Sequence, residues 1–179
     1  MRDEDSTRSF ERSVLPHLDA AYNLARWLTR DDAAAQDVVQ EACLRAFRFQ
    51  DGFRGDDGRA WLLAIVRNTC FTWMQQNRPG QTASFDEELH SPASELASPQ
   101  AALQRSEDRE AVRRAVEELP AEYREAIVLR ELEGLSYKQI AAVAGIPIGT
   151  VMSRLARARS RLQQVLRPPT ASPRTGVRT

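Results

Sequence analysis

The most concentrated chemistry in this chain lies late. The stretch "GIPIGTVMSRLARARSRL", Gly145 to Leu162, places Arg154, Arg157, Arg159 and Arg161 close together and contains no acid. Guanidinium groups at this density bind phosphate, carboxylate or the acceptor edges of bases. At 100° per residue, Ile148, Val151, Leu155, Ala158 and Leu162 fall within about 80° of one another, while Thr150, Ser153, Arg154, Arg157 and Arg161 cluster on the other side. The first set predicts a buried seam. The second puts short hydroxyls at a helix start and arginines further along, a combination that suits the DNA major groove. An ordinary solvated helix face could carry the same arginines, but here they follow a turn signal in an acid-free segment.

Charge is distributed to match. The formal net charge is zero, yet residues 1–78 hold 11 basic and 12 acidic side chains, 79–100 none and 4, 101–135 6 and 9, and 136–179 8 and none. A purely basic last quarter predicts a polyanion at one end of the molecule. Catalytic chemistry has little to work with. His17, His90, Cys43 and Cys70 form no metal-ligand spacing, and no nucleophile elbow or phosphate-binding loop is present. No metal, no cofactor and no enzymatic activity are therefore expected. The start of the chain, "MRDEDSTRSFERS", lacks the apolar core of a signal peptide. No run approaches the ~18 apolar residues of a membrane span. A cytoplasmic protein is expected.

The elements that must position these groups read as helices, with almost no strand signal. Leu15, Leu18, Ala21, Tyr22, Ala25 and Leu28 share one face of a first helix. Asp31 or Asp32 can cap a second, running to about Gln50 and facing its core with Val39, Cys43 and Ala46. "QDGFRGDDG" reads as a loop. Arg59 to about Asn77 resumes helical spacing and stops before Pro79. Residues 79–100 are Pro- and Ser-rich and acidic, a linker. Helices return over about 101–118, 121–133, 136–144 and 148–166, and 168–179 forms a Pro- and Arg-rich tail expected to be disordered. In "LSYKQIAAVAGIPIGTVMSRL", Ser136 and Gln139 suit a capping box, Gly145 a left-handed turn, and Ile146 the wedge between two helices. This is the grammar of a helix-turn-helix. The fold class is all-α, two small helical domains on a polar tether.

Context narrows the reading. "DVVQEACLRAF" (37–47) with "FRGDDGRAWLLAIVRN" (53–68) resembles region 2 of bacterial RNA polymerase sigma factors. "LPAEYREAIVLRELEGLSYKQIAAVAGIPIGTVMSRLARARSRL" (119–162) resembles their region 4. The order, the linker and the short length resemble the extracytoplasmic-function (ECF) group of the sigma-70 family. The resemblance implies four segments: residues 1–78 as region 2, 79–100 as linker, 101–167 as region 4 and 168–179 as tail. It implies core RNA polymerase, promoter DNA and an anti-sigma factor as partners. Asp37, Gln40, Glu41, Leu44, Arg45 and Arg48 would dock on the β′ clamp. Phe53, Arg67, Asn68 and Arg78 would read the −10 element, with Phe53 and Asn68 lining a pocket for a flipped base. Lys138, Thr150, Ser153, Arg154, Arg157 and Arg161 would contact the −35 element, and region 4 would reach the β flap. The free protein would be a monomer, and nucleoid-associated when bound to polymerase.

The sequence departs from the family where Thr72 replaces a frequent acid, where Gln75–Asn77 replace a basic cluster, and where Met152 replaces Lys or Arg. Fewer cations near the −10 helix imply weaker phosphate attraction there. The competing reading is a free-standing helix-turn-helix regulator with an N-terminal helical sensory domain, which would dimerise on a palindrome.

Overall fold

The computed structural model describes residues 2–53, 55–77 and 99–167. Arg78, most of the expected linker and the tail 168–179 lie outside these residues. Among the described residues there is no strand, and eight α-helices follow one another: α1 (Arg2–Val14), α2 (Leu18–Thr29), α3 (Asp32–Phe49), α4 (Gly58–Asn77), α5 (Pro99–Glu117), α6 (Ala121–Ile127), α7 (Tyr137–Ala144) and α8 (Ile148–Leu166).

The N-terminal half begins with a helix that composition concealed. Along the charged segment 2–14, Phe10 packs on the core and Val14 is buried, one turn apart. Such a narrow apolar stripe is hard to see as periodicity, yet it suffices to seat α1. A short 3-10 turn, Leu15–His17, follows at Pro16, so Leu15 is exposed rather than on the buried face of α2. Ala21, Leu24, Ala25 and Leu28 form that face. Arg30 ends α2 in the left-handed region at φ 58°, its N–H donating to the Arg26 carbonyl. The chain restarts at once, because the Asp31 carboxylate accepts from the Ala34 N–H at 2.7 Å and caps α3.

The buried seam of α3 is Ala35, Val38, Ala42 and Ala46; Val39 and Cys43 are only partly buried. The expected core face is therefore rotated by about one residue. Small alanines let α2 approach closely, whereas larger Val39 and Cys43 fill the margin. Helix α4 buries Leu62, Leu63, Val66, Thr69 and Cys70 on more than one side. It is the central helix, packing on α2 and α3 and also on α7. Its first residue has no room for a side chain: a Cβ on Gly58 would lie 2.6 Å from the Ser13 carbonyl oxygen. That close approach clamps the end of α1 onto the start of α4.

In the C-terminal half, α5 begins at Pro99, slightly earlier than its expected start at 101, as proline suits the first helical turn. Helix α6 widens into a π turn, Val128–Leu132, closed by Glu133 N–H donating to the Val128 carbonyl at 3.0 Å. Leu129, Leu135, Ile140, Val151 and Leu155 fill the core here.

The two halves are packed together, and their buried residues form one continuous cluster. The Arg124 guanidinium, nearly fully buried, donates to the carbonyls of Glu117 (2.7 Å) and Leu119 (2.9 Å) at the end of α5, and to Leu28 (3.3 Å) at the end of α2. Both helix ends present carbonyls without intrahelical partners, and one arginine serves them.

Candidate nucleic-acid and polymerase interfaces

The helix-turn-helix forms as its local chemistry requires. The Ser136 hydroxyl accepts from the Gln139 N–H at 3.1 Å, and the Gln139 side chain accepts from the Ser136 N–H at 2.9 Å, a complete capping box. Gly145 ends α7 at φ 66°, where a side chain would be strained. Ile146 packs into the core, Pro147 caps α8, and α7 and α8 meet at 101°.

On α8, Val151, Leu155 and Ala158 are buried and Leu162 is half-buried, but Ile148 is exposed. Ile148 thus leaves the expected seam, because it precedes the point where α8 meets its neighbours. The outward face carries Ser153 and Arg157, with Met152 exposed beside them. Thr150 is half-buried. Arg154 is not outward. It turns toward α6, 18% exposed and 3.6 Å from Glu122. Arg161 lies over the Tyr123 ring at 5.2 Å, and Arg159 pairs with Glu131 at 2.7 Å. Lys138, on α7, is exposed. The expected stripe therefore splits into an outward pair, Ser153 and Arg157, and a flank beside α6, where Arg154 is half-buried and Arg161 stays exposed while lying over the Tyr123 ring. The helical wheel could not separate these, because α6 covers one flank of α8 and leaves the other open.

Helix α3 presents a continuous outer face. Asp37, Gln40, Leu44 and Arg48 are exposed, and Glu41 and Arg45 are half-buried and paired at 2.8 Å, the i,i+4 attraction expected from sequence. Leu44 is 55% exposed and Phe47 47%. Phe47, edge-on to Phe10 at 5.3 Å, widens the apolar part of this face. It was missed because the aromatic partner that positions it comes from α1.

The loop before α4 is shaped by Asp57. Its carboxylate accepts from the Ala60 N–H at 2.9 Å and so caps α4. This bond, then one from Gln139, holds the Asp57 carboxyl below the usual carboxylate range. Phe53 stacks on half-buried Trp61, with centroids 4.6 Å apart. Asn68 is exposed on α4 and accepts from Arg67 at 3.3 Å. Arg67 does not face solvent freely. It sits over the Phe71 ring at 4.1 Å and pairs with the buried Glu125 of α6 at 2.6 Å. Burial pushes the Glu125 carboxyl up, and Arg67 pulls it back only in part. Among the described residues, no group of three or more His, Cys, Asp or Glu side chains could hold a metal ion, and no single helix is long and apolar enough to cross a membrane.

These two halves match known proteins in the same order. Residues 14–79 match sigma-70 region 2, and residues 109–162 match sigma-70, region 4. The chain is 36% identical over 170 residues to the RNA polymerase sigma-H factor of Pseudomonas aeruginosa, covering 90% of this chain and 88% of that protein. It is 39% identical over 140 residues to the ECF RNA polymerase sigma-E factor of Escherichia coli K12, covering 74% and 73%. The chain belongs to the sigma-70 family, in its ECF group.

This ECF sigma factor binds core RNA polymerase and directs initiation at promoters through −10 and −35 elements, as the family does. Sigma factors are initiation factors rather than enzymes. The free-standing regulator is not favoured, since the N-terminal half matches region 2. Among solved structures, the sigma factor RpoE of Bartonella quintana, in complex with the anti-sigma factor NepR, is 32% identical with a TM-score of 0.70, covering 89% of this chain and 97% of that one. CnrH, in complex with the cytosolic domain of CnrY, is 27% identical with a TM-score of 0.62, covering 89% and 88%. The region 2 match begins at Val14, the last residue of α1, and takes in α2 to α4, and the region 4 match runs from mid-α5 to near the end of α8; the rest of α1 precedes both.

Proposed function

We propose that this sigma factor divides its work along the chain as follows. Residues 1–78 dock on polymerase and read the −10 element, 79–100 link, 101–167 read the −35 element, and 168–179 form a tail. The outer face of α3, with Asp37, Gln40, Glu41, Leu44, Arg45 and Arg48, meets the β′ clamp, and Phe47 extends its apolar centre. Phe53 and Asn68, with Arg67 and Arg78, contact the −10 element. Region 4 meets the β flap, and α8 contacts the −35 element, led by Ser153 and Arg157, with Lys138, Thr150, Arg154 and Arg161 at the margins. The observation that carries this division is a mixed-charge face with exposed Leu44 on α3, set in the same chain as an outward Arg157 on a capped helix-turn-helix.

Tethering lets weak modules suffice, since the second contact becomes intramolecular. The factor acts in the cytoplasm as a monomer when free, has no catalytic activity of its own, and is held in check by an anti-sigma factor. The NepR complex of the Bartonella protein supports that last point. The test is run-off transcription on genomic fragments with purified core polymerase, followed by mapping of start sites. Start sites that share −10 and −35 elements are expected. Tight binding to a palindrome without polymerase would overturn the reading.

A further inference from the structure

The outward side of α8 has two unlike edges. At 100° per residue, Ile148, Met152 and Ala156 follow one another at intervals of about 40° along one edge, and Ser153 and Arg157 do the same along the other. The first edge is apolar: Ile148 is 46% exposed and Met152 54%, and Ala156 is exposed beside them. The helix carries no charge from Ile148 to Ser153. Arg159, the next cation on the apolar edge, is drawn to Glu131 of the π turn at 2.7 Å. The Ser153 hydroxyl already donates to the Thr150 carbonyl at 3.1 Å. The first two turns of this edge therefore present hydrocarbon and thioether, not a cation.

The residues around Met152 are small. Gly149 lies one turn before Met152 and Ser153, and Ala156 one turn after both, so the four are neighbours on the helix surface. A Cβ on Gly149 would meet nothing within 4 Å. Met152 and Ser153 thus flank a shallow depression floored by Gly149 and Ala156, all of them exposed. A lone exposed methionine is ordinary on a protein surface. This one shares its face with the outward Arg157 and stands over small neighbours that let another molecule come close.

The bases offer one apolar group in the major groove, the C5-methyl of thymine; the other positions there are hydrogen-bond donors or acceptors. A guanidinium suits an acceptor edge, whereas a flexible, polarisable thioether suits a methyl group. We propose that Met152 is a specificity-determining residue that reads a thymine of the −35 element, seating its C5-methyl against the Met152 side chain over Gly149 and Ala156. The contact rests on the assignment of α8 to the −35 element. The two edges then divide the readout: Arg157 supplies charge and hydrogen bonds, and Met152 supplies apolar contact. Burying one methyl group changes affinity about fourfold.

The test uses polymerase holoenzyme formed with the full chain, on a promoter duplex mapped with the wild-type factor. Each thymine of the −35 element, on either strand, is replaced in turn by deoxyuridine, which removes the methyl group and keeps the base pair. With the wild-type factor, one such replacement should weaken binding about fourfold. Met152→Ala should weaken binding to the natural duplex by at least that factor and abolish the uracil penalty at that position. Met152→Leu, which keeps an apolar side chain, should retain most of the penalty. Circular dichroism should be unchanged in both variants, since Met152 is exposed. A merely structural role would lower affinity without altering the dependence on the methyl group, so the protein and DNA changes form a double-mutant cycle.

A wild-type factor indifferent to every uracil, a penalty that persists undiminished in Met152→Ala, or a −35 element with no thymine on either strand would overturn the proposal. Arg157→Ala distinguishes that result from failure of the α8 assignment. If Arg157→Ala flattens discrimination among variant elements while no uracil matters, α8 reads the element and the methyl contact alone is wrong. If neither Arg157→Ala nor Met152→Ala alters discrimination, the assignment of α8 fails and the methyl contact with it.

Discussion

Gln139 performs two tasks with opposite ends of one amide, and a single substitution separates them. Its oxygen completes the capping box of α7, and its nitrogen donates to Asp57 across the interface. Gln139→Glu keeps an acceptor for the cap and adds a negative charge in the first turn, where the helix dipole favours it. Across the interface it replaces a donor by a carboxylate. Two unit charges about 3 Å apart repel by about 1.4 kcal/mol in water. The lost hydrogen bond adds about 0.5–1.5 kcal/mol. Rotation of exposed side chains and salt screening reduce the sum, leaving about 1–2 kcal/mol against the packing of the two halves.

The wild-type contact also has a defined pH sense. The Asp57 carboxyl is held below its usual range by the Ala60 N–H and then by Gln139, so its contribution is full above the unfolded carboxylate value of about 3.9 and is lost as pH falls through the lower folded value. In the variant, lowering pH from neutrality should instead relieve repulsion first. Amide hydrogen exchange reads both ends. Gln139→Glu should leave α7 amides protected while raising the radius of gyration at low salt, with partial recovery at high salt. Gln139→Ala should loosen the start of α7 as well. If Gln139→Glu loosens α7 as much as Gln139→Ala and leaves compactness unchanged, the division of labour argued here is wrong.

Glu41→Arg should weaken binding to core polymerase in a pull-down titration at unchanged helicity, because it reverses one half of the α3 pair on the docking face; an unaltered affinity would remove that assignment. Arg157→Ala should cost about 1–3 kcal/mol on the cognate −35 element and flatten discrimination among variant elements. Arg161→Ala, whose side chain rests on Tyr123, should weaken all sequences alike and reduce the salt slope by about one, both measured with polymerase holoenzyme on mutated −35 duplexes. Burial pushes the Cys70 thiol up to about 12 and raises the half-buried Cys43 as well. Neither should react appreciably with a thiol-specific disulfide reagent at pH 8 until the protein unfolds, with Cys70 the slower; rapid labelling of both in the native protein would reveal an accessible thiolate.

Local chemistry was decisive wherever a few adjacent residues settle the backbone. Asp31, Ser136 with Gln139, and Gly145 act through hydrogen bonds and φ angles within a turn, so the sequence alone determined the caps, the helix-turn-helix and most helix boundaries. Its two-module order and its basic last quarter were equally legible, since composition and motif order need no contacts. What the sequence could not determine is which flank of each helix faces a neighbour. Val38 rather than Val39 lines the α3 seam because α2 fits against alanines, Ile148 is left uncovered, and Arg154 turns in because α6 lies beside it. The charged start of the chain became a helix only through Phe10, Val14 and the space that Gly58 leaves for Ser13. The pairing of Arg67 with Glu125 depends on bringing together groups 58 positions apart in the chain. Periodicity describes one helix in isolation; burial and charge pairing belong to surfaces that meet only in the tertiary structure.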